Sequence, residues 1–105
     1  MNAQERRRFR RITLDQPVRG AVGDSSVYIL DASVGGMRVA HKAPLPSPGA
    51  FCRVEMPSEI GPIKLDCEVV RTITKQELYQ TGLQIIAADR QSAERLRELF
   101  SSNDS

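Results

Sequence analysis

IKLDCEV, residues 63 to 69, sets Ile63, Leu65, Cys67 and Val69 on one side of an extended chain and Lys64, Asp66 and Glu68 on the other. Successive side chains of a strand point to opposite faces, so this alternation predicts a β-strand with one face in a core and one in water. Downstream, Leu78, Tyr79, Gly82, Leu83, Ile85 and Ile86 predict a further strand after the polar turn Thr74-Lys75-Gln76-Glu77. Upstream, Phe51, Val54 and Met56 predict one strand, and Met37 and Val39, alternating with Arg38 and Ala40, predict another. Between these two, Ala43-Pro44-Leu45-Pro46-Ser47-Pro48-Gly49 reads as a long loop, because prolines remove donors and stiffen the backbone. From Pro17 onward, Val18 and Val22 form one apolar run and Val27 to Leu30 a second, joined by the hairpin turn Gly23-Asp24-Ser25. The ending changes period: Ala93, Leu96, Leu99 and Phe100 gather on one helical face while Arg90, Glu94, Arg95, Arg97 and Glu98 fill the others. Asp89 suits the N-cap, which places a helix at about residues 89 to 102 before the polar end of the chain. Six short antiparallel strands and one amphipathic helix predict an all-β barrel or sandwich whose open end or face the helix covers.

With 105 residues and 40% hydrophobic content, the chain can build one domain around one core. Its charge is unevenly placed. ERRRFRR, residues 5 to 11, holds five arginines; without them the 15 Lys+Arg fall to ten against 13 Asp+Glu, so the body is slightly acidic. A protein that coats nucleic acid spreads its cations along a groove, because affinity grows with the number of phosphates neutralised. A dense local cluster suits a compact anion better. The boundaries expected are therefore a flexible basic arm at 1–12 and a single domain at 13–105. No apolar run follows the basic stretch as in a secretory signal, and none reaches bilayer-spanning length, so a cytoplasmic protein without membrane insertion is expected.

The inventory for catalysis is thin. His41 is the single histidine and reads as a solvated residue at the end of a strand, with no role as a general base. Cys52 and Cys67 have no close pair in sequence and read as buried free thiols rather than a disulfide or metal site. The carboxylates are scattered and no Gly-rich loop precedes a helix. No catalytic residue, metal or cofactor is expected, and a binding module is favoured over an enzyme. Asp31-Ala32-Ser33-Val34-Gly35-Gly36, taken alone, is a turn between strands: Asp and Ser bond their own backbone, and Gly permits positive torsions. Beside an arginine arm it gains meaning. An arginine fork donates two parallel bonds to guanine O6 and N7 or to a phosphate, and a carboxylate accepts from guanine N1-H and N2-H₂.

Arg7-Arg8-Phe9-Arg10-Arg11 fits Arg-x-x-x-Arg, Asp31 to Gly36 fits Asp/Asn-x-Ser-x-x-Gly, and the order and separation of the two resemble PilZ domains, bacterial receptors for cyclic di-GMP. The resemblance runs from Glu5 to the final helix and includes Glu68-Val69-Val70-Arg71 and Thr81-Gly82-Leu83. It implies a six-stranded antiparallel β-barrel with a C-terminal α-helix. It further implies that Arg7 and Arg11 grip guanine edges and phosphates from the arm, and that Asp31 and Ser33 bond a guanine or phosphate from the barrel surface. Gly36 would leave room for close backbone approach, and Arg71 would stack its flat guanidinium on a base. Arg6, just before the motif, resembles the subset of the family that takes up two mutually intercalated cyclic di-GMP molecules. The function implied is a receptor or adaptor that closes its arm over the ligand and signals to a separate downstream protein. Two other classes compete: a PilZ-fold adaptor working through protein contacts without a nucleotide, and a nonspecific nucleic-acid binder using the arm.

Overall fold

The computed structural model describes residues 12 to 102. They form β1 (Ile12–Val22), β2 (Ser25–Ala32), β3 (Gly36–His41), β4 (Phe51–Met56), β5 (Ile63–Lys75), β6 (Leu78–Ala88) and α1 (Arg90–Ser102). The strands close into a barrel in the order β1-β2-β3-β6-β5-β4, every neighbouring pair antiparallel. Closure settles the choice between barrel and sandwich and leaves the sheet without a free edge strand.

Alternation fills the interior. Val27 and Ile29, Met37 and Val39, Val54 and Met56, then Ile63, Leu65, Cys67 and Val69, all point inward and are buried. In the ring, β3 and β4 stand on opposite sides, so the proline loop between them crosses one end of the barrel and half-buries Leu45 against the core. The helix closes the other end with Leu96 and the half-buried Leu99. Asp89 caps it, accepting from the Ser92 amide at 2.7 Å and the Ser92 hydroxyl at 3.0 Å, and that hydroxyl accepts from the Lys64 amide at 2.9 Å. The bonds from Ser92 hold the Asp89 carboxyl below its ordinary range. The cap therefore supports the fold above the unfolded carboxyl's pKa and is lost as pH falls through the lower folded value.

Three sequence readings need correction, while that of the cysteines as free thiols holds. The first strand starts at Ile12 rather than near Pro17, because Pro17 sits within the register shift between Thr13 and Val18, where a missing amide costs no ladder bond. The fifth strand runs on to Lys75, past a bulge between Val69 and Arg71, so the turn is only Gln76-Glu77. His41 is 2% exposed rather than solvated: its Nε2 lies 2.6 Å from Thr81 Oγ1, its Nδ1 2.7 Å from the Ala43 carbonyl, and its ring stacks on Tyr79. A carbonyl only accepts, so Nδ1 carries the proton. Cys52 and Cys67, both free, stand directly opposite each other on β4 and β5. Burial, with Cys52 and Asp66 adding to it, pushes the Cys67 thiol up to about 12, which leaves it protonated and unreactive at neutral pH.

The β5–β6 hairpin carries a local cost. Lys75 pairs with Leu78, and the two residues between them, Gln76 and Glu77, both have positive φ, at 51° and 70°. Such a turn matches strand twist but favours Asn-Gly over residues with larger side chains. Replacing Gln76-Glu77 with Asn-Gly is expected to stabilise the fold by about 1 kcal/mol, read as a higher urea midpoint at unchanged slope.

Candidate functional site

The ladder register brings the motif residues to one outer face. Thr13 pairs with Asp31, Asp31 with Arg38, Arg38 with Gly82, and Gly82 with Arg71, a single row across β1, β2, β3, β6 and β5. Ile12 pairs with Ala32, so the arginine cluster precedes a strand that begins beside the Asp31 to Gly36 turn. Arg6, Arg7 and Arg11 lie outside the described residues.

Asp31 is 1% exposed and forms an ion pair with Arg38, whose Nε donates to Oδ2 at 2.9 Å and whose Nη2 lies 2.6 Å from the same oxygen. Two nitrogens of one planar group on one carboxylate fix the guanidinium plane as well as its distance. Sequence reading did not single out Arg38. Its signal was its parity, since it points outward between Met37 and Val39, which places it on the face that carries Asp31.

Ser33 is buried and ties its own turn. Its hydroxyl accepts from the amides of Gly35 and Gly36, each at 3.2 Å, and donates to the Gly36 carbonyl at 3.3 Å. One donor and two acceptor sites are thereby used. The Ser33 amide also donates to the Gly36 carbonyl at 2.7 Å, and Gly35 O accepts from the Ile85 amide at 3.0 Å, which fastens the turn to β6. Gly36 is required by that neighbour, because a Cβ there would stand 2.5 Å from the Leu83 carbonyl oxygen. At Gly36 the close approach among the described residues is that of the β6 backbone.

Arg71 is exposed and makes no ion pair among the described residues. It and Arg38 line a surface cavity of ≈ 330 Å³ with Val70, Ile73, Gln80 and Gly82. Guanidinium groups, an amide and short apolar side chains around a shallow floor suit a planar, polar-edged ring or an anion. No group of three or more His, Cys, Asp and Glu able to hold a metal occurs among the described residues.

The PilZ domain family model matches residues 5–102. The chain belongs to the PilZ domain family. PilZ domains are receptors and adaptors rather than enzymes. Among solved structures, the chain is similar to YcgR from Escherichia coli in complex with c-di-GMP, at 18% identity and a TM-score of 0.76, over 94% of this chain and 46% of that one. The Bacillus subtilis inhibitor of motility MotI/DgrA gives the same identity and TM-score, over 94% of this chain and 51% of that one. The PilZ domain of Escherichia coli YcgR with c-di-GMP matches at 16% identity and a TM-score of 0.69, over 92% of this chain and 90% of that one. The chain thus spans about half of the two longer proteins and nearly all of the isolated domain. At these identities the likeness shows the PilZ fold. No curated protein matches the chain in sequence. No helix among the described residues is long and apolar enough to cross a membrane.

Proposed function

We propose that this PilZ domain is a cyclic di-GMP receptor whose arginine arm closes over the ligand against the outer face of β2, β3, β6 and β5. The observation that carries the reading is the cross-sheet row. Asp31, Arg38 and Arg71 share one face, and β1, which directly follows the Arg-x-x-x-Arg sequence, begins beside the Asp31 to Gly36 turn. Family membership and neighbours in complex with c-di-GMP support the same ligand. Arg7 and Arg11 take guanine edges and phosphates, Asp31 a guanine edge, and Arg71 a base face; Ser33 and Gly36 hold the turn that aims Asp31. The ligated domain then presents its closed arm to a separate downstream protein, in the cytoplasm where such a second messenger is made.

Calorimetric titration with cyclic di-GMP and, separately, cyclic di-AMP tests this. Saturable binding of the first and rejection of the second is expected; equal, steeply salt-dependent binding of both would identify a nonspecific polyanion site instead. Arg6 adds a cation before the motif, so saturation is expected near two intercalated ligands per chain, with Arg6→Leu lowering the ratio toward one. Asp31→Ala should weaken binding while circular dichroism keeps its native form, since the Arg38 it leaves behind is 51% exposed and rehydrates. A variant that unfolds would return Asp31 to a purely structural role.

A further inference from the structure

Gly82 is a glycine that the fold does not need. Strand-interior glycines lose entropy on folding and contribute no packing, so they mark a strained torsion, a close backbone approach or a required space. The first is absent, since Gly82 is not among the positive-φ glycines, Gly23, Gly49 and Gly61. The second is absent too: a Cβ at Gly82 would meet nothing within 4 Å among the described residues, whereas at Gly20 it would stand 2.7 Å from the Glu55 carbonyl oxygen and at Gly36 2.5 Å from that of Leu83. The neighbouring bulge does not call for it either, since the extra residue is Val70 on β5.

What remains is space. Gly82 pairs with Arg38 on one side and Arg71 on the other, and all three line the ≈ 330 Å³ cavity. With strands about 4.8 Å apart, the two arginine stems rise roughly 10 Å from each other over bare backbone. Arg38 is fixed by Asp31, while Arg71 has no ion-pair tether among the described residues, which gives one rigid wall and one adjustable one. Val70 and Ile73 add apolar surface although they are 52% and 43% exposed, and Gln80 brings an amide to the rim. The volume is at the low end for ligand sites, about 300 to 1,000 Å³, and suits one ring system rather than a whole dinucleotide.

We infer that Gly82 is the floor of a stacking slot for one purine face of the ligand, kept free of a side chain so that the ring can lie between Arg38 and Arg71. The inference rests on the receptor reading and adds a determinant outside both motifs. It makes fold and function pull in opposite directions at one residue. Valine suits an exposed strand position, so Gly82→Val should raise the melting temperature by a few degrees and weaken cyclic di-GMP binding at least tenfold. In the parent chain, the Gly82 Hα resonances should move upfield during titration as a ring covers them. A Gly82→Val chain that binds like the parent, or Hα signals that stay in place while the parent binds, would overturn the slot and leave the receptor standing. A lowered melting temperature would also overturn it, by making Gly82 a requirement of the fold. A parent chain that ignores cyclic di-GMP would remove the receptor reading and the slot together.

Discussion

Arg11→Ala is expected to abolish measurable cyclic di-GMP binding at micromolar ligand. Truncating one partner of a desolvated, charge-assisted contact costs about 2 to 5 kcal/mol, and 4 kcal/mol alone moves a micromolar dissociation constant to roughly the millimolar range. In sequence Arg11 directly precedes Ile12, the residue that pairs with Ala32 in the β1–β2 ladder. A residue next to a ladder position in sequence is expected to lose less freedom on contacting a ligand than one farther along the arm. Arg11→Lys serves as the control, because it keeps the charge but not the planar fork and should recover only part of the affinity. Binding by Arg11→Ala as tight as the parent's would remove the arm from the site.

Gly36→Ala is expected to cost about 3 kcal/mol of stability and to lower the melting temperature by roughly 10 to 20 °C. The new methyl would face the Leu83 carbonyl oxygen at 2.5 Å, and that oxygen belongs to the backbone of β6, which is held in the ladder beside β3. Relief requires parting two strands, since no flexible side chain stands there to move aside. Thermal and urea denaturation would report it, and near-parent stability would mean that β3 and β6 are less tightly joined than the register implies. Gly82→Ala, two residues along the same ladder pair, provides the contrast, with little change expected because open space lies above it.

Residues that lie half in water and half in a core announced themselves. Ile63 to Val69 alternates because β5 has one wet face there, and the same rule revealed β4, whereas in β3 Arg38 is exposed but Ala40, read as its outward partner, is buried. From Val70 to Lys75 every residue is exposed, so the strand persists with no hydrophobic pattern to mark it. The burial of His41 depended on Thr81 and Tyr79, about forty residues away on a strand whose register cannot be read locally. The motif pair pointed to Asp31 and Ser33, yet Arg38 and Gly82 became visible only when five strands lined up. A cross-sheet row is a property of register, and a chain read end to end does not display register.

The barrel's closing seam gives the molecule a place to open. β1 meets β4 only at Ala21 with Glu55 and Val22 with Val54, whereas β5 and β6 pair from Leu65 with Ala88 to Lys75 with Leu78. The long hairpin joins residues close in sequence and can form early; the seam, with two paired positions, is the shortest ladder of the barrel and therefore the first expected to part in native fluctuations. Amides at Ala21 and Val22 should therefore exchange hydrogen by a sub-global opening that leaves β5–β6 intact. β1 is also the strand that follows the arginine cluster. A ligand that holds the cluster against the Asp31 face restrains β1 from its other end, and slowed exchange at Ala21 and Val22 would carry news of binding to the far end of the same strand.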